Sequence, residues 1–234
     1  MEVAVEMAVV QAAGKTIREI NGEIRGLIAE GCREIIVREP GAQHNLGVGI
    51  VEPVALHFEG SVGYYCGGMG DGPVVTIEGS AGWGVAEGIM GGTVVVKGNA
   101  GNSAGAAMRG GTVVVMGHAG ARAGVSLKGG TLIIGGDCGY MTGFMGQKGA
   151  IIVCGDAGEA LGDSMYETVI YIGGQIAELG TDAVQEALTG EDYDFLSASL
   201  TPYGLESARA WTKVVSGRKL WNFDRHEDVW KTVL

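Results

Sequence analysis

Four cysteines and four histidines occur in the 234 residues, aromatic side chains make up 6%, and sixteen Lys and Arg face twenty-seven Asp and Glu. Each shortage excludes something. With a net charge of −11 and no stretch where Lys and Arg gather into a stripe, nucleic acid is not an expected partner. No apolar run reaches the roughly 18 residues that a membrane-spanning helix needs. The start, MEVAVEMAVVQAAG, carries Glu2 and Glu6 and no basic residue, so it does not resemble a secretory signal, and the cytoplasm is the expected compartment. The cysteines form no CxxC and no His/Cys pair at ligand spacing. They read as buried thiols, with a metal or cluster site as the alternative. His44, His57, His118 and His226 share no spacing, and no Ser or Cys is brought to any of them as a triad requires. GGMGDG, residues 67–72, is neither a strand-GxGxxG-helix unit nor a P-loop. The sequence holds no motif for catalysis.

What the chain has in excess is glycine, 44 of 234 residues, against a usual share of about 7%. The glycines have no three-residue period and alternate with Val and Ile runs, which sets collagen and disorder aside. They recur instead every nineteen residues. A glycine closes each apolar run at Gly60, Gly79, Gly98, Gly117, Gly136, Gly155 and Gly174; counting from it as phase 0, further glycines fall at phase 3 and phase 7. A unit this short, with one apolar run, cannot hold two helices or a propeller blade, and it lacks the spaced Leu and Asn of a leucine-rich repeat. The expected fold has an all-β core: a single-stranded right-handed parallel β-helix of about seven 19-residue coils, with a short N-terminal α/β segment and a C-terminal helical tail. Coils stacked at the ~4.8 Å strand spacing would rise about 30 Å.

The phases assign the side chains. Phases 15 and 17 read Leu56/Phe58, Val75/Ile77, Val94/Val96, Val113/Val115, Leu132/Ile134, Ile151/Val153 and Ile170/Ile172, two apolar columns on one face. Phase 2 is a column of small residues. Gly82, Gly101, Gly120, Gly139 and Gly158 at phase 3 suit a structural turn needing positive φ or close backbone approach. Phase 16 faces the other way, yet it carries Val95, Val114, Ile133, Ile152 and Tyr171. So much β-branched surface calls for a cover, either the tail or another subunit. These five, with Trp211, Trp221 and Trp230 of the tail, are the candidate interface. Phase 1 is polar: Ser61, Ser80, Asn99, His118, Asp137, Asp156 and Gln175. Asp137 and Asp156 could form an acid/base pair or a cation site; beside a glycine corner such residues more often bond their own turn.

Around the repeat, residues 1–53 read as a strand and helix cap. Within it Ile17, Ile20, Ile24, Leu27 and Ile28 line one helix face that stops at Gly31, and EIIVR is a strand. Residues 54–177 form the β-helix. In the tail, 178–234, TDAVQEALTG, EDYDFLSASL and residues 205–216 are three helix candidates.

The repeated GxxGxxxG followed by a Val/Ile run and a further Gly, as in GNAGNSAGAAMRGGTVVVMGHAGARAGVSLKGG, resembles the GXGXG β-helix domain of the glutamate synthase large subunit. A related domain forms a subunit of formylmethanofuran dehydrogenase. Flanked as it is here, the domain looks like the small β-helix subunit of three-subunit glutamate-synthase-like enzymes such as N-methylglutamate synthase. The resemblance implies a subunit with no catalytic, cofactor or metal residues of its own. It would join an amidotransferase-like subunit, which releases ammonia, to an FMN-binding subunit with iron-sulfur clusters, where an imine is reduced to the amine. In keeping with that division the chain starts Met-Glu-Val rather than with the N-terminal cysteine nucleophile of such amidotransferases, and it has no clustered cysteines. A formylmethanofuran dehydrogenase-type subunit and an independent β-helix binding protein remain the alternatives.

Overall fold

A computed structural model describes residues 7–205 and 210–219; Trp221 and Trp230 lie outside the described residues. Strand β1 (Met7–Gln11) leads into helix α1 (Ile17–Ala29) and strand β2 (Glu34–Arg38). Seven strands, one per coil, follow: β3 (Ala55–Glu59), β4 (Val74–Ile77), β5 (Thr93–Val96), β6 (Thr112–Val115), β7 (Lys128–Ile134), β8 (Lys148–Val153) and β9 (Glu167–Ile172). Then come β10 (Ala183–Glu186), α2 (Gly190–Leu200), a 3-10 turn (Thr201–Tyr203) and β11 (Thr212–Ser216). The described strands make one sheet in the order β1-β2-β3-β4-β5-β6-β7-β8-β9-β11-β10, parallel from β1 to β9. From β3 onward this is the parallel β-solenoid of about seven turns that the glycine phases imply.

Both inward columns are buried throughout, from Leu56 and Phe58 to Ile170 and Ile172. Burying each such side chain stabilises the fold by about 1.5–3 kcal/mol. Phase 2 forms a second stack, bridged in parallel from Val62 through Ala81, Ala100, Ala119 and Cys138 to Ala157 and Ile176. The phase 3 glycines serve close approach, not positive φ. At Gly139 a Cβ would lie 2.8 Å from the Ala121 nitrogen, and at Gly82 2.8 Å from the carbonyl carbon of Gly63. Left-handed glycines fall at other phases, phase 7 among them, as at Gly124 with φ +66° and Gly143 with φ +77°, where a Cβ would also strike an inward isoleucine.

The ends are finished differently. Thr16 and Glu19 form a capping box that starts α1, and Gly31 at φ +97° ends it. Ile20, Ile24 and Ile28 of α1 are buried in the main core. On the same helix Asn21 donates to the Asn45 carbonyl and accepts from Gly47 N–H, while Arg25 donates to Val48. The helix thus satisfies backbone groups of the turn that precedes the first coil.

At the other end two of the three tail segments expected as helices contain strands. TDAVQEALTG contributes β10 and residues 205–216 contribute β11, which runs antiparallel to both β9 and β10. Pairing with the open edge of β9 overrides a weak local helix signal, and TKVVS is itself rich in β-branched residues. The last residues of the TDAVQEALTG segment start a helix: Thr189 is the N-cap of α2, with Asp192 completing its capping box.

Candidate functional site

The phase 1 column is a ladder between coils. Ser61 Oγ accepts from Ser80 N–H at 3.0 Å, Ser80 Oγ from Asn99 N–H at 3.1 Å and Asn99 Oδ1 from His118 N–H at 2.8 Å. His118 Nδ1 accepts from Asp137 N–H at 2.9 Å, Asp137 Oδ1 from Asp156 N–H at 2.8 Å and Asp156 Oδ1 from Gln175 N–H at 2.7 Å. Each side chain therefore serves the next coil's backbone rather than its own turn. The ladder also explains phase 0. A Cβ on Gly79, Gly98, Gly117, Gly136, Gly155 or Gly174 would lie no more than 2.7 Å from the accepting atom of the coil before. Glycine is the only residue that leaves room.

This arrangement ties one atom of each of these side chains to the next coil's backbone. Asp137 and Asp156 each commit Oδ1 to a backbone donor. His118 Nδ1 also lies 3.3 Å from Asp137 Oδ2, but that nitrogen already accepts a hydrogen bond, which fits the neutral ring with its proton on Nε2. Among the described residues no group of three or more His, Cys, Asp or Glu is placed to hold a metal ion. Cys66, Cys138 and Cys154 are buried, and Cys32 is half-buried. Burial pushes the Cys66 thiol far above its ordinary range; it raises Cys138 too, partly offset by a hydrogen bond with Thr142.

The phase 16 stripe is covered by the chain's own tail. Val114, Ile133, Ile152 and Tyr171 form a second core with Leu196 and Leu200 of α2 and with Trp211; Val95 packs at its margin. The placement that decided between tail and partner is thus intramolecular for these residues.

A polar clasp at one end of this core was not read from the sequence. The Tyr171 hydroxyl donates to Asp192 Oδ1 at 2.6 Å. Asp192 Oδ2 accepts from the Thr189 backbone at 2.7 Å, the Thr189 hydroxyl at 2.9 Å and Lys213 Nζ at 3.2 Å, and Lys213 also meets Glu186 at 3.2 Å. Burial alone would raise the Asp192 carboxyl, but hydrogen bonds from Tyr171, Thr189 and Lys213 outweigh it and hold the group at about 2. Burial raises the Tyr171 phenol, and its bond to the carboxylate raises it further. Lys213 is lowered by burial and raised more by Asp192 and Glu186, so it stays charged. One signal existed: Tyr171 is a hydroxyl in an otherwise aliphatic stretch of the column.

Exposed aromatics gather on the first coils. His44 stacks on Tyr64 at 4.3 Å between ring centroids, and Tyr64 on Trp83 at 5.4 Å. A Cβ on Gly101 would fall 2.5 Å from the Trp83 ring, so that indole lies against the next coil while staying half exposed.

No protein-family model matches the chain. A stretch of 73 residues is 41% identical to Protein GlxC of Rhizobium meliloti (strain 1021), covering 30% of this chain and 32% of that protein. The match thus spans about a third of the curated relative. No helix among the described residues is long and apolar enough to cross a membrane.

Proposed function

We propose that the chain is a non-catalytic scaffold subunit of a heteromeric, FMN-dependent glutamate-synthase-like enzyme, with N-methylglutamate synthase the best fit. In that role it bridges an amidotransferase-like subunit and a subunit carrying FMN and iron-sulfur clusters. The carrying observation is the phase 1 ladder. Its polar side chains, the best candidates for chemistry, hold one coil to the next through hydrogen bonds of 2.7–3.1 Å. A stiff stack whose columns repeat without interruption suits a spacer between larger partners. The match to Protein GlxC supports the glutamate-synthase-like part of the reading.

Co-expression tests the bridging role. Amidotransferase-like and flavin-binding chains from the same source should co-purify as one assembly when this chain is present and separate when it is left out. An assembly that forms equally well without it would refute the scaffold.

A further inference from the structure

Stacking at nineteen residues brings together charges that the linear sequence keeps apart. Arg109 and Lys128 occupy phase 11 of successive coils, and Lys128 is the in-register partner of Lys148 on the next. One coil separates each from its neighbour, about 4.8 Å, which is well inside the ~8 Å screening length at physiological salt. All three are exposed. Among the described residues none of their side chains has a hydrogen-bond or ion-pair partner. The sequence shows no basic stripe because the stripe runs across the coils.

Like charges placed directly beside one another destabilise a sheet. The chain has acids to spare at a net charge of −11, and the fold does not require cations at this corner, since phase 11 of earlier coils holds Asp71 and Met90. Those two, with Glu167 in register beyond Lys148, bound the column to three positive charges. Glycines at 110, 111, 129, 130 and 149 make the corner low on the inner side of the cations. Three residues further along the coils, Thr112 and Thr131 open on a cleft of about 340 Å³ whose far wall is Phe195, Pro202 and Tyr203. A row of cations without ion-pair partners therefore lies three residues along the coils from a cleft that has Ile133, Phe195, Pro202 and Tyr203 among its walls.

We propose that this corner docks an acidic, amphipathic polypeptide segment of a partner protein. Carboxylates would pair with Arg109, Lys128 and Lys148, and an apolar side chain would fill the cleft beside α2. Charge complementarity selects acid; the apolar wall selects a polypeptide over a polyphosphate chain. Three cations on a strongly acidic protein are also few for holding nucleic acid. The inference does not rest on the enzyme assembly proposed above.

The test uses the purified full chain and a short fluorescein-labelled helical peptide with glutamates along one face and leucines along the other, beside its glutamine counterpart. Fluorescence anisotropy should show binding of the glutamate peptide alone. Lys128→Glu with Lys148→Glu should weaken it about tenfold or more, the neutral pair K128Q/K148Q less, and added salt should act in the same direction. Ala198→Trp, which narrows the cleft without changing charge, should also weaken binding. Far-UV circular dichroism of each variant should match the parent, and K128Q/K148Q should melt no lower than it. Equal binding of both peptides, or binding indifferent to the charge reversals, overturns the proposal. So does a parent that self-associates at low salt by light scattering while K128E/K148E is monomeric, which would assign the column to a second copy. Equal competition by duplex DNA or by inorganic phosphate overturns it as well.

Discussion

Replacing Asp192 by Asn keeps the size of the side chain and its capping oxygen but removes the charge that gathers Tyr171, Thr189 and Lys213. The carboxyl is held at about 2 against an ordinary 3.8, and its residue is 7% exposed, so little solvent screening discounts the effect. A lowering of this size corresponds to about 2 kcal/mol of stability at neutral pH. The sign follows from the direction. A carboxyl lowered on folding contributes fully above its unfolded value, near 4, and loses that contribution as pH falls toward about 2. Asp192→Asn should therefore unfold at a lower urea concentration at pH 7, by about 2 kcal/mol, or melt roughly 4–8 °C lower for a chain of this size. The gap between variant and parent should be unchanged at pH 5.5 and should narrow steadily below pH 4. A variant as stable as the parent at pH 7 would refute the clasp, and so would a gap that stays constant down to the acid limit.

Other substitutions probe separate parts of the fold. Gly139→Val sets a branched side chain against the Ala121 backbone and should cost several kcal/mol in urea unfolding; a melting temperature within about a degree of the parent would contradict close approach as the reason for glycine there. Ile133→Asp buries an unpaired charge beneath α2, so limited proteolysis should cut residues 188–205 first while the coils persist; unchanged protection would mean α2 is held by something else. Asp137→Ala removes the acceptor of Asp156 N–H and should cost about 1 kcal/mol by the same unfolding assay. With buried and raised thiols, Cys66 and Cys138 should resist iodoacetamide in the native protein and react on denaturation; fast native labelling of Cys66 would place it at the surface.

The solenoid was legible because its cause is periodic. One register of nineteen fixes which residues stack, so the buried columns at phases 15 and 17 follow from counting. Phase 0 was legible as a position but not as a reason: only the geometry shows that the space beside Gly155 belongs to Asp137 Oδ1. The tail was harder. Thr189 and Gly190 look alike as a stop and as a start, and the strands 183–186 and 212–216 exist because β9 leaves an edge to pair. The Tyr171–Asp192–Lys213 clasp joins three segments that no local pattern connects. Arg109, Lys128 and Lys148 could have been found by reading phase 11 as a column and allowing the one-residue shift at Lys148.

The central claim is that this chain works as the scaffold of a larger flavoenzyme. The most direct measurement is its purification from its own source under native conditions, with subunit identification and a visible spectrum of the same fraction. The account predicts a yellow assembly in which this chain accompanies an amidotransferase-like subunit and a flavoprotein. A chain recovered alone and colourless would contradict it.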